Sequence, residues 1–181
     1  MKIRFFRFNT YLAFGLCAVL TLAGGCLFSS KKKEKEKEIS KQDLSSLRLY
    51  LEVNADGSDR NGAIAVGRQA PFTVNVEKKS FLTEFNIEKA SVVDSYGGFS
   101  ISIRYDKEGS WILEQYTTAN KGKRIAIAAE FGSVRWLAAP VIQQRIGDGL
   151  LVFTPDATRQ ESERIVKGLN HVAELIRKGQ M

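Results

Sequence analysis

The sequence predicts an α+β fold: a mixed, largely antiparallel β-sheet covered by two main helices. Three observations support this. Residues Asn120–Phe153 hold short apolar runs separated by turn-forming residues, the pattern of closely linked strands. Upstream, Leu47–Val53 and Phe99–Tyr105 alternate apolar and polar residues, as half-buried strands do. Two further stretches, about Ser110–Asn120 and the one following Thr154, space their apolar residues three and four apart, as helices do. Strands and helices do not alternate regularly, which favours α+β over a parallel α/β plan.

Length and charge bound the rest. At 181 residues and 44% hydrophobic content, the chain has room for one domain with a proper core and a non-globular N-terminus. Its net charge is +7. Lys2, Arg4 and Arg7 supply three of those charges, and the run Lys31–Glu38, with five lysines and three glutamates, supplies two more. The remainder is close to balanced, so the basic pI gives no support for a nucleic-acid partner.

Three charged side chains in Met1–Arg7 precede an apolar run, Tyr11–Leu22. That run is shorter than the about 20 residues of an ordinary membrane span. Ala23-Gly24-Gly25-Cys26 follows directly. The pattern resembles a bacterial lipoprotein signal peptide, in which small residues precede a cysteine that receives lipid before cleavage. The usual motif is Leu-Ala-Gly-Cys; here Leu22 stands one position further out. The resemblance implies a signal peptide over residues 1–25 and lipidation at Cys26. An ordinary secretory signal cut after a small residue is the alternative. Cys17 would leave with the signal and Cys26 would be blocked, so the folded part would hold no disulfide. The implied location is the cell envelope, lipid-anchored and facing the periplasm, with inner and outer membrane both open.

Residues 26–43 read as the lipidated cysteine and a charged tether. In KKKEKEKE, like charges stand four apart at Lys31/Lys35, Lys33/Lys37 and Glu34/Glu38, which opposes a helix. High charge without an apolar face favours a solvated spacer.

The globular part spans residues 44–181. Leu47, Leu49, Leu51 and Val53 form the inner face of a first strand. Asn54–Gly62 is dense in turn formers and reads as a loop. Its Asn54, Asp56 and Ser58 alternate like the first ligands of a calcium loop. Asp59 stands where that loop needs glycine, however, and Ala65 where it needs the closing glutamate. Phe72, Val74 and Val76 share one face of the next strand. Leu82-Thr83-Glu84 opens a short helical turn, Ile87–Val93 is a strand, and Gly97-Gly98 turns the chain into Phe99–Tyr105. The first helix, about Ser110–Asn120, presents Ile112, Leu113, Tyr116 and Thr117 inward.

Ile125–Ala129 is a continuous apolar run, expected of a strand covered on both faces. Glu130–Ser133 turns the chain into Val134–Leu137, and Pro140 belongs at a strand start, edge or bulge. Gly147-Asp148-Gly149 breaks the chain before Leu150–Phe153. Thr154 then reads as N-cap of the closing helix, with Pro155 and Asp156 in its first turn. That helix buries Ile165, Leu169, Val172 and Ile176.

From Phe72 to about Ile176 the residues resemble the head subdomain of the first periplasmic region of SecD, a protein-export membrane component. The matching series includes Leu82-Thr83, Ile87, Ala90, Gly97-Gly98, Ile101, Ile103 and Gly109, then Thr117, Asn120 and Gly122-Lys123-Arg124. It continues through Ile125-Ala126-Ile127, Ala139-Pro140-Val141-Ile142, Ile146, Gly149 and Phe153-Thr154. Two stretches depart from the family pattern. A longer Glu130–Val134 segment replaces an Asp-Gly turn, and Leu150-Leu151-Val152 replaces an Ile-Gly-like step. SecD's ion-coupled motor needs transmembrane helices, so the resemblance implies a fold and a substrate class, unfolded or emerging polypeptide, but not translocase activity.

Catalytic chemistry finds little footing. His171 is the only histidine and reads as a surface or boundary residue, with no second histidine or free cysteine to complete a zinc set or a nucleophile pair. Nucleophile elbows, phosphate loops and dinucleotide fingerprints are lacking. Glu161 and Glu174 read as helix-surface charges, and Trp111 and Trp136 as core or boundary residues. The expectation is a binding protein with no cofactor and no metal, held to a membrane by its lipid and contacting a polypeptide or an envelope assembly partner. The alternative is a structural or interaction lipoprotein with no role in export; the oligomeric state is open. Phe131, Arg135 and Trp136, in the departing hairpin, are the expected partner contact, with closure of the core's end as their other reading.

Overall fold

The computed structural model describes residues 44–180. Cys26 and the stretches expected to be signal peptide and tether lie outside those residues. The strands are β1 (Ser46–Leu51), β2 (Asn61–Val66), β3 (Phe72–Glu77), β4 (Ile87–Ser95), β5 (Gly98–Tyr105), β6 (Ile125–Glu130), β7 (Val134–Ala138) and β8 (Leu150–Phe153). The helices are α1 (Lys107–Ala119) and α2 (Arg159–Arg177), and a 3-10 turn spans Glu84–Asn86.

The fold is α+β as expected, but the single mixed sheet resolves into three antiparallel ones: β1-β6-β7, β2-β3 and β4-β5-β8. The stretch 120–153 therefore does not form one sheet. β8 leaves β6 and β7 and pairs with β5, Ile101 opposite Phe153 and Ile103 opposite Leu151. The turn at Gly149 sets this up: its φ is +68°, and a Cβ there would lie 2.8 Å from Ser110 Cβ.

β6 is buried on both faces, as its unbroken apolar run requires. Ile125, Ile127 and Ala129 face the main core, shared with Leu47 and Leu49 of β1 and Ile165 and Leu169 of α2. Ala126 faces a second, smaller core made with Val66, Val74 and Val76 of the β2–β3 hairpin. A small residue at 126 lets the hairpin close on the sheet. The hairpin was only half legible: β2 falls where no strand was expected, because Gly62, Ala63 and Ala65 have low strand propensity and only pairing with β3 fixes them.

Both helices start elsewhere than read. α1 begins at Lys107, because Asp106 accepts the Gly109 N–H at 2.7 Å and caps the helix earlier. Its inner stripe is as expected, with Leu113 and Thr117 buried and Ile112 and Tyr116 packed against the core. The N-cap of α2 is Thr158, not Thr154. Asp156 N–H is held by Leu137 O at 2.7 Å, so the chain there is still tied to β7. Thr158 and Glu161 form a reciprocal capping box. Ile165, Leu169 and Val172 are buried, whereas Ile176, in the last turn, is only half-buried.

Candidate functional site

The β6–β7 hairpin turns through Phe131-Gly132-Ser133, with Gly132 at φ +104°. Its three expected contact residues all point into the domain. Phe131 is 7% exposed and belongs to the main core. Trp136 is half-buried against the second core and meets Tyr50 edge-on at 5.1 Å. The Arg135 guanidinium lies 5.6 Å from the Phe131 ring centroid, and donates to Glu161 Oε1 at 2.9 Å and to Asp156 O at 2.6 Å. Of the residues in this hairpin, Val134 is the large exposed apolar one, at 67%.

Glu161, read as a surface charge, is the hub of this end of the molecule. Arg68, from the loop between β2 and β3, donates to the same Oε1 at 2.6 Å, and Thr158 N–H donates to Oε2 at 2.8 Å. The Thr158 N–H, first, and Arg68 hold the Glu161 carboxyl below the ordinary carboxylate value. Thr158-x-x-Glu161 has the spacing of a capping box, a signal that the choice of Thr154 as N-cap passed over; the two arginines come from distant sequence and leave no such local signal.

Strand edges decide where another chain could add. The outer edge of β1 is occupied: Leu49 exchanges backbone bonds with Phe81 and Leu82, and Val53 N–H bonds to Asn75 O. On β4, Ala90 turns its backbone away from β5, and the Asn170 side chain of α2 meets it with both groups. Ala90 N–H donates to Asn170 Oδ1 at 2.8 Å, and Asn170 Nδ2 donates to Ala90 O at 2.9 Å. A helix side chain thus stands in for a missing strand.

β8 forms the other edge of that sheet. The bond from Tyr105 N–H to Gly149 O, in register with the ladder, makes Gly149, Leu151 and Phe153 the residues bonded to β5. Leu150, Val152 and Thr154 therefore turn their backbone outward. Leu150 N–H is taken by Asp148 Oδ1 at 3.1 Å. The Val152 N–H and C=O have no partner among the described residues, and Val152 is 50% exposed. Beside this edge lie two recesses, of about 330 and 510 Å³, that both include Pro140.

Other sequence candidates stand apart from this edge. His171 is half-buried on α2, Glu174 pairs with Lys178 at 3.8 Å, and Trp111 is 62% exposed on α1 rather than core or boundary. Asp56 accepts Ser58 N–H at 2.9 Å and Asn61 Nδ2 at 2.7 Å, closing its own loop. The Tyr105 hydroxyl is buried without a partner, and burial pushes its pKa well above the usual phenol range, so it stays neutral. Among the described residues, no group of three or more His, Cys, Asp or Glu side chains is placed to hold a metal. No helix among them is long and apolar enough to cross a membrane.

Residues 61–174 match the family model of the SecDF P1 head subdomain. The chain belongs to this family. A solved structure of SecDF, described as a membrane component that enhances protein export, is similar at a TM-score of 0.55 and 19% identity, over 76% of this chain and 67% of that one. SecDF in a super-membrane-facing form is similar at a TM-score of 0.51 and 21% identity, over 70% of this chain but 19% of the SecDF chain. At such identities the likeness is one of fold. No curated protein matches the sequence. Within the SecDF P1 head fold, the hairpin that departs from the family pattern at 130–134 serves the core, while the family-like Ala139–Ile142 segment borders the β8 recesses.

Proposed function

We propose that this protein is a lipid-anchored component of the bacterial cell envelope whose SecDF P1 head domain binds extended polypeptide, exported chains or an envelope assembly partner, without turnover. The observation that carries the reading is the outward backbone of Val152 on β8, which has no partner among the described residues, in a domain of this family where the outer edge of β1 and Ala90 of β4 are met from within. An unpaired strand edge is a ready acceptor for an extended backbone. Anchorage rests on the sequence alone: the charged start, the short apolar run and Ala23-Gly24-Gly25-Cys26. Stable attachment needs more than one acyl chain, which a fully modified lipoprotein cysteine supplies. With no ion-coupled span in the described residues, the domain would hold polypeptide near the membrane rather than drive it.

Two measurements test this. Mass spectrometry of the membrane fraction should yield a lipid-modified peptide that begins at Cys26; a soluble mature form with an unmodified terminus contradicts the anchor. Crosslinking in the native envelope should join the domain to polypeptide in transit or to a defined assembly partner. A domain that crosslinks to neither is the structural lipoprotein of the alternative reading.

A further inference from the structure

We infer that the seam between β8 and the Ala139–Gln144 segment is a strand-addition site for an uncharged, extended stretch of polypeptide. The inference rests on the polypeptide-binding reading above and gives it a location and a specificity. The backbone supplies the first part. Val152 turns both its N–H and its C=O outward, and Leu150 turns its C=O outward, at the two-residue spacing of a strand edge. A donor and acceptors at that spacing are met by another extended backbone, not by a small solute.

The walls supply the second part. The seam is closed at one end, where Asp156 N–H bonds to Leu137 O at 2.7 Å. It is bounded toward the other by Ile146, whose N–H is held by Thr117 Oγ1 at 3.0 Å. Between them, Val141 is 40% exposed and Val152 50% exposed; no charged side chain lines the first recess, and Asp156, at the closed end, is the one charged residue lining the second. In a chain with 26% charged residues, a neutral lining of this length disfavours charged segments, whose side chains would lose water without gaining a partner.

Charge also decides against a second copy as occupant. Antiparallel pairing of two β8 strands centred on Val152 would bring Asp148 and Asp156, which flank Leu150–Phe153, toward each other, a like-charge approach at both ends of the pair. β2, whose Ala63 and Ala65 also turn outward, meets the second recess only at its end, through Val66, and is bracketed by Arg60 and Arg68, charges of the kind that guard an edge.

The test uses the full chain and a fluorescein-labelled eight-residue peptide that alternates valine and threonine, with counterparts in which lysine or glutamate replaces each threonine. Anisotropy should show the neutral peptide binding about tenfold or more tightly than either charged one. Val152→Lys places a charge on the exposed edge and should weaken binding about tenfold with an unchanged melting temperature, while Ala63→Lys leaves it unaltered. Val152→Pro, which removes the outward N–H without removing a ladder bond, should weaken it as well with the melting temperature retained. Equal affinity for all peptides, indifference to both Val152 changes, or loss with Ala63→Lys alone would overturn the inference. A dimer that Val152→Lys dissolves would assign the edge to a second copy and overturn it too. If crosslinking in the envelope still captures exported chains in the Val152→Lys protein, the site is wrong and the functional reading stands. If the wild-type protein captures none, that reading itself fails.

Discussion

Arg135 on β7 and Glu161 in the first turn of α2 are joined by a 2.9 Å bond from Nη1 to Oε1. The same carboxylate takes Arg68 at 2.6 Å and closes the capping box with Thr158. One side chain thereby ties the β2–β3 loop, the β6–β7 hairpin and the start of α2 together. Arg135 is 19% exposed and Glu161 29% exposed, enough burial to keep the pair from full solvent screening.

Replacing Glu161 with Gln should lower stability by about 1 kcal/mol at neutral pH, the scale of a lost cap and a partly exposed charge pair. The folded carboxyl titrates below its ordinary value of 4.5. Its stabilisation is therefore complete above that value and lost as pH falls through the folded one. Thermal denaturation of wild type and variant should show a constant gap from pH 7 to about 5.5 that narrows below about 4.5. A gap that persists to pH 3 would show that the charge is not its source.

Asn170→Ala should cost about 1–3 kcal/mol, because it strands both backbone groups of Ala90 in a partly buried place. Asn170→Asp restores only the acceptor and should recover part of the loss. Hydrogen exchange at Ala90 should quicken in the Ala variant by far more than at Ile103, which stays in its ladder with β8.

The helix face can be checked separately. Leu169 is 1% exposed, and Leu169→Ala should cost about 2–5 kcal/mol. His171, half-buried with no part in the main core, should tolerate Ala within about 0.5 kcal/mol. Chemical denaturation giving equal losses at the two positions would mean that α2 presents a different face.

Changing Phe131, Arg135 and Trp136 together to Ala should lower the melting temperature before it touches any partner. Phe131→Ala alone should cost about 3 kcal/mol, as for other buried aromatic residues. An unchanged melting temperature with lost crosslinking would return the hairpin to the role of contact surface.

How much of this was legible depends on the range of the interactions. β1, β3, β5 and β6 could be read from alternation or from an unbroken apolar run, because burial of one or both faces leaves a local pattern. β2 could not, since Ala63 and Ala65 become strand only opposite Thr73 and Asn75. The pairing of β8 with β5 brings Gly149 close to Ser110, an approach between distant segments that spacing does not encode. At the candidate site, the segment Ala139–Ile142 stood out in sequence, but the outward turn of Val152 follows from ladder parity and needed the register. Conversely, Phe131 and Trp136 look like interface residues by type and are drawn inward by the two cores.

The central claim is that the domain holds extended polypeptide and leaves it unchanged. The most direct measurement follows a radiolabelled, unfolded secretory precursor incubated with the full-length protein in membrane vesicles, scoring both retention and integrity over time. The account predicts saturable retention of intact precursor, released by excess neutral extended peptide. No retention above vesicles that lack the protein, or steady conversion of the precursor to fragments, would contradict it.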